Sequence, residues 1–165
     1  MKNIRQKEKA TSLPEGLDEK DMAILKLLQD NAKMTVREIA GTVHLSPTPV
    51  HERIKRMEDN GVIQQYATFI NPAKVLKGLM VICYVSLNMH NKNAGLKFIK
   101  SVNELDEIVE CYSISGEFDF MLKVMAENME SYYNFHVNQL SQIENINHIQ
   151  SIFVMGVIKQ VHKLV

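Results

Sequence analysis

Residues 35–61, TVREIAGTVHLSPTPVHERIKRMEDNG, constrain this chain more than any other stretch, because two helix starts and one helix stop fall within a single short run. Thr35 with Glu38 three residues later has the spacing of a capping box, and Met34 with Ile39 has that of a hydrophobic staple. Val36, Ile39, Ala40 and Val43 then share one helical face. A second helix opens at Ser46, a good N-cap. Pro47 suits the first helical position, and Pro49 is still within the first turn, where N–H groups have no intrahelical partner. Leu45 and Val50 form a second staple, Val50, Ile54 and Met57 the buried stripe, and Gly61 a left-handed residue just past the end.

The opposite face of that second helix carries the chemistry. At about 100° per residue, Thr48, Glu52, Lys55 and Asp59 point away from the apolar stripe, His51 and Arg56 flank them, and Arg53 lies near the rim. Such a face suits a major groove, where Ser46, Thr48, Pro49, His51 and Glu52 would meet base edges, and Arg53, Lys55 and Arg56 would hold phosphates. The alternative is a solvated charged face on an ordinary core helix, with Arg53 in an ion pair to a glutamate. The helix–turn–helix spacing favours DNA.

Composition narrows the class without choosing the function. The chain has 165 residues, 45% hydrophobic and 23% charged, with a formal net charge of zero, as in a soluble globular protein of one or two domains. Residues 1–71 hold 11 Lys and Arg against 10 Asp and Glu, so the helical half is no broad electrostatic binder. Affinity for nucleic acid would come from the cluster at 53–56, with avidity between paired domains. Cys83 and Cys111 lie in apolar runs and read as small buried hydrophobes in a reducing compartment. The N-terminus lacks the apolar core of a secretory signal, and the longest apolar run, 79–85, is too short to cross a bilayer. A cytoplasmic protein without a membrane partner is expected.

Four parts follow in order. Residues 1–16 are polar and carry Lys2, Arg5, Lys7 and Lys9; a disordered basic arm is expected, with phosphate contact as its possible use. Residues 17–61 make a three-helix unit, whose first helix is capped by Asp18, with Asp21 at its third position and Ile24, Leu25 and Leu28 facing inward. Residues 62–72 are strand-like up to Asn71-Pro72, and could pair with another subunit or close onto their own helical unit. From 73 to 165 the pattern is β-α-β-β-α-β, with strands at 79–88, 108–115, 118–126 and 149–158. Its helices lie at 94–102, with Phe98, Ile99 and Val102 inward, and after Asn128, with Met129, Tyr133, Val137 and Leu140 on one face. That is a ferredoxin-like order, so the fold class is α+β. A two-residue hairpin with Gly116 at positive φ is expected between the middle strands.

The sheet has two helices to cover it, yet both of its faces read as largely apolar. Phe120, Leu122 and Val124 alternate with Met121 and Met125, and Ile152 and Val154 with Phe153, Met155 and Val157. Sheet-to-sheet homodimerisation would cover the second face. The hairpin sequence SISGEFD gathers hydroxyls, backbone N–H groups and two carboxylates. Glu117 or Asp119 could take an ammonium, and Ser115 with the backbone around Gly116 a carboxylate. From spacing alone, a capped turn with solvated carboxylates is the better reading.

The segments LDEKDMAILKLLQDNAKMTVREIA and LSPTPVHERIKRMEDNGVIQQYATFINP closely resemble the N-terminal half of the Lrp/AsnC (feast/famine) transcription regulators, and the resemblance resumes at ECYSISGEFDFMLKV and INHIQSIFVMGVIKQ. It therefore covers nearly all of residues 17–160. It implies a winged-helix-like helix–turn–helix domain, a linker strand that helps pair two subunits, and dimers that associate further into octamer-like rings of four dimers. It also implies a regulator that joins the nucleoid when bound to DNA. An amino acid effector is implied near subunit contacts, around the motif matched by Ser115, Gly116, Glu117, Phe118 and Asp119. Where the family tends to show Thr-x-Thr at the start of the last strand, this chain has Ile149 and Ser151; only Ser151 keeps the hydroxyl, so the effector's identity does not carry over.

No other chemistry competes. His44, His51, His90, His136, His148 and His162 form no metal-ligand spacing, so neither metal nor cofactor is expected. There is no Gly-rich phosphate loop and no nucleophile–base motif, so an enzyme is not expected. The expected function is a sequence-specific transcriptional regulator bound to double-stranded DNA and sensing an amino acid. The competing function is an oligomeric small-molecule-binding module whose helical unit serves assembly; it would show no salt-dependent shift of random duplex DNA.

Overall fold

The computed structural model describes residues 16–89 and 92–165. The expected arm, apart from Gly16, lies outside them. The described residues form two compact units, 16–68 with Gln160–Val165, and Phe69–Lys159. The last six residues thus belong with the helices instead of the sheet. The Leu164 and Val165 N–H groups donate to Gln29 Oε1 at 3.2 Å, and Lys163 pairs with Asp30.

The first unit is three helices, α1 (Glu19–Asp30), α2 (Val36–Val43) and α3 (Pro47–Asp59). Reciprocal capping boxes form at Asp18 with Asp21 and at Thr35 with Glu38. The Asp18 and Glu38 carboxyls lie below their ordinary values, first of all because each accepts a backbone N–H. Ile24, Ile39, Val43, Val50 and Met57 make one core, with the staple residues Leu17, Met22, Met34 and Leu45 packed around it. At Ser46 the structure departs from expectation: it holds the N-cap position, but its hydroxyl makes no capping bond. The cap's usual donor is the N–H of the third helical residue, and here that residue is Pro49. Past Asn60 the helix closes in a Schellman turn. Gly61 has φ +71°, its N–H bonds Glu58 O at 3.0 Å, and Val62 N–H bonds Met57 O at 2.8 Å. Residues 62–70, expected as a strand, form none. A strand needs a hydrogen-bonded neighbour, and no described strand of this chain pairs with these residues.

The second unit begins with a 3-10 turn at Pro72–Val75. The elements β1 (Leu79–Leu87), α4 (Lys92–Val102), β2 (Ile108–Ser113), β3 (Phe120–Ala126), α5 (Met129–Asn138) and β4 (Ile146–Phe153) follow. The sheet is antiparallel in the order β2-β3-β1-β4. Val81, Cys83, Val85, Leu122 and Val124 pack with Phe98, Val102, Tyr132 and Phe135 of the helices. On α5 the buried pair is Tyr132 and Phe135, whereas Met129, Tyr133 and Val137 face outward. The two aromatic rings bury more area than that stripe, and the Tyr132 hydroxyl finds polar partners in the core. Ile99 is likewise 40% exposed, while Phe98 and Val102 point inward. The last strand starts and ends earlier than expected, and Cys111 is exposed because β2 is an edge strand.

Cross-strand register defines the sheet's other face. One row runs Tyr112, Met121, Tyr84, Gln150 and the next Glu110, Lys123, Ile82, Ile152. The face is therefore less apolar than expected. Lys123 Nζ pairs with Glu110 Oε1 at 2.8 Å, and Tyr112 donates to the other oxygen at 3.0 Å.

Candidate nucleic-acid interface and ligand loop

The outer face of α3 presents Thr48, His51, Glu52 and Lys55, all exposed, their side chains without a hydrogen bond or ion pair to another described residue. Ser46 is exposed beside them and Pro49 half-buried. Two of the three expected phosphate ligands are already engaged. Arg53 Nη1 donates to Asp18 Oδ2 and Asp21 Oδ1, both at 2.7 Å, and Arg56 Nη2 donates to Asp21 Oδ2 at 2.6 Å. The Arg53 side chain is 24% exposed and that of Arg56 48%. Arg53 is thus an ion pair within the fold, with aspartates of α1 in place of the glutamate considered from sequence. Arg56 is shared between fold and solvent, and Lys55 is the uncommitted cation of the cluster.

Asp21 is the residue that sequence reasoning missed in this unit. It is 1% exposed, and it also accepts the Asp18 N–H at 3.0 Å. Its position in the first turn of α1 explained it fully as a capping charge. The available signal was the i, i+3 spacing of Arg53 and Arg56, which turns both guanidinium groups toward one point.

The expected ligand residues divide into two places. Ser115, Gly116 and Glu117 are exposed, and Phe118 and Asp119 half-buried, in a loop between β2 and β3. The expected two-residue turn does not form. The last strand pair is Ser113 with Phe120, and the Ile114 N–H bonds Asp119 O at 2.9 Å, leaving a four-residue loop with Gly116 at φ +122°. Asp119 causes the widening. Its N–H donates to Val85 O at 2.9 Å, and its Oδ2 accepts the Leu87 N–H at 2.8 Å, so it fastens the loop to the end of β1. The Phe118 ring lies 5.4 Å from Tyr84 and 6.1 Å from His148, over the open sheet face.

Ser151 is not part of this loop. It pairs with Cys83 in the sheet, and its hydroxyl accepts the Tyr132 O–H at 2.5 Å, with Cys83 Sγ 3.2 Å from the same phenol. Burial, then the Cys83 contact, raises the Tyr132 phenol, and burial pushes the Cys83 thiol up. Ile149 pairs with Val85 and packs on the same core, which accounts for its apolar side chain. A groove of about 400 Å³ lies elsewhere, lined by Lys97, Lys100, Glu104 and Glu144 among others; no residue of the 114–119 loop borders it.

Three helices with an exposed third-helix face, followed by a βαββαβ unit with a polar loop, define a helix–turn–helix regulator with an appended ligand-binding domain. Comparison with known proteins agrees. Residues 17–64 match the winged helix-turn-helix DNA-binding family, and residues 80–164 match the Lrp/AsnC ligand binding domain. The leucine-responsive regulatory protein of Haemophilus influenzae is 34% identical over 164 residues, 99% of this chain and 98% of that protein. That of Escherichia coli is 34% identical over 149 residues, 90% of this chain and 91% of that protein. A Neisseria meningitidis transcriptional regulator solved as an L-Met complex superposes with TM-score 0.86 and 34% identity, over 90% of this chain and 96% of that one. An AsnC family regulator from Agrobacterium tumefaciens gives 0.85 and 32%, with the same coverage. The chain belongs to the Lrp/AsnC family of transcriptional regulators. It is a DNA-binding regulator rather than an enzyme, and among the described residues no helix is long and apolar enough to cross a membrane.

Proposed function

We propose that this regulator acts as a homodimer that presents two recognition helices to a two-fold DNA site and responds to an amino acid bound at the 115–119 loop. The open sheet face carries the reading. Ile82, Tyr84 and Met121 are left half-exposed and Ile152 is 46% exposed, with no described helix of their own chain over them. A second copy covers that face, and residues 62–72, which form no strand within the chain, supply the linker strand. The outward stripe of Met129, Tyr133 and Val137 is where dimers associate further, to the octamer-like assembly. Sedimentation of the purified chain should give a dimer or a multiple of it; a monomer at micromolar concentration would refute the reading.

On DNA, Thr48, His51 and Glu52 meet base edges with Ser46 and Pro49 beside them, and Lys55 with the free edge of Arg56 meets phosphates. Each phosphate contact contributes about 0.9 to the slope of log affinity against log salt. Lys55→Ala should therefore flatten that slope by roughly one unit per dimer head, while Arg53→Ala should lower the melting temperature. The opposite pattern in a salt titration would put Arg53, not Lys55, on the phosphates.

In the loop, Glu117 takes the effector's ammonium, the backbone around Gly116 with Ser115 takes its carboxylate, and Phe118 lines the side-chain site. Asp119 holds the loop in shape. The Neisseria relative solved with L-Met supports an amino acid of this kind. A thermal-shift screen of the twenty amino acids should reveal a stabilising effector, and Asp119→Ala should abolish that shift while effector-free DNA binding persists. Equal shifts in both proteins would place the site elsewhere. The effector regulates only through unequal affinity for two states of the assembly.

A further inference from the structure

We propose that Tyr66 is a positioning residue that sets which separation between two DNA half-sites the regulator accepts, because its hydrogen bond to Glu58 carries the rigid body of the third helix onward into the linker. This rests on the two-headed reading above. Chain leaving α3 is held at three successive points. Val62 and Ile63 both donate their N–H to Met57 O, at 2.8 and 3.0 Å, and the Ile63 side chain packs on the helical core. The Tyr66 hydroxyl then donates to Glu58 Oε1 at 2.7 Å. Burial, and then the Glu58 carboxylate, push this phenol up to about 12, so it stays a donor at working pH. Residues 64–70 join no strand, and the two compact units divide between Thr68 and Phe69. Residues 67 and 68 are all the chain between Tyr66 and the second unit.

Glu58 stands in the last turn of α3, on the helix that carries Lys55 and Arg56. The direction in which the linker leaves that helix is therefore referred directly to the groove-reading face. In a two-headed binder, the separation of the recognition helices fixes the half-site spacing. An anchored exit makes that separation narrow, and a loose one lets each head swivel over several spacings. An exposed hydrogen bond adds little to global stability, so its loss should be read in spacing rather than in melting.

The test uses the full chain and an operator selected by it from a random-sequence duplex library. Spacers are then lengthened and shortened in single base-pair steps over half a helical turn, and a duplex with one half-site is measured alongside. The wild-type chain should show a peaked spacing profile. Tyr66→Phe and Glu58→Ala should each lose about tenfold of the preference for the best over the worst spacing, with single half-site affinity unchanged. Glu58→Gln keeps an acceptor oxygen and should retain the wild-type profile, and the double variant Tyr66→Phe with Glu58→Ala should be no flatter than either single. A Tyr66→Phe profile that superposes on wild type overturns the proposal. So does an equal loss on the single half-site, which would mean damage to the reading head itself. Wild-type binding without any spacing preference removes the proposal but leaves DNA binding standing, whereas failure to retain any duplex refutes the two-headed reading from which it starts.

Discussion

Asp21→Ala is expected to destabilise the helix–turn–helix unit by about 3–5 kcal/mol, which exceeds what a unit of this size can spare. Asp21 is 1% exposed, and its two oxygens take Arg53, Arg56 and the Asp18 N–H. Removing it leaves Arg53 with Asp18 alone, on a carboxylate whose side chain is 53% exposed and far better solvated. It also opens a cavity beneath the start of α1 and breaks one half of that helix's capping box. The three losses share one residue and are not additive, so the lower figure already suffices to melt the unit. Hydrogen exchange in α1–α3 should collapse while the β1 and β3 amides stay protected, and duplex binding should vanish. Normal protection in α3 would show that the network is dispensable. Acid attacks the same network. Asp18 lies below its ordinary value, first through the Asp21 N–H and then through Arg53, so its folded-state value is the lower one. The stabilisation it gives is complete above the ordinary carboxylate range and is lost as pH falls through the folded value.

Ile82→Glu is expected to split the dimer and to weaken binding to a two-half-site operator by about a hundredfold or more. Ile82 sits in the middle row of the open face, between Lys123 and Ile152, with Glu110 beyond the lysine. In a lone subunit a glutamate there can reach water. In the proposed interface it would stand buried against its own symmetry mate, where the existing Glu110 already claims Lys123. Such a charge costs several kcal/mol on burial, enough to outweigh a dimer of micromolar or weaker affinity. Affinity for one half-site should be unchanged, because no α3 residue is touched. Sedimentation and a two-operator gel shift read both outcomes together. A variant that remains dimeric would mean that the partner covers some other surface.

Local rules served the helical unit well, and failed where two rules competed for one residue. The caps at Asp18 and Thr35, the left-handed Gly61 and the apolar stripes of α2 and α3 depend on neighbours three or four positions away, and each appears in the structure. Ser46 failed as a cap because Pro49 removes the donor, a conflict already visible in the sequence. The α5 face failed because two apolar stripes were available, and only the presence of Ser151 and Cys83 opposite Tyr132 selects the aromatic one. The 115–119 loop was legible as a cluster of residue types, but Asp119's bonds to β1 could not be seen from β2 and β3 alone.

The amino-acid sequence by itself determined the order of the elements, the α+β class, the turn between α2 and α3 and the outward set Thr48, His51, Glu52 and Lys55, because helical and strand periodicities are local and leave a direct imprint on residue order. Only the tertiary structure decided that Arg53 belongs to Asp18 and Asp21, that Ser151 belongs to Tyr132, that Glu110 and Lys123 neutralise each other across the open sheet, and that Tyr66 reaches back to Glu58. Side chains of one charge or one polarity look alike along a chain. Which partner each of them takes is fixed by distances between elements that are remote in sequence, and those distances exist only once the core has packed.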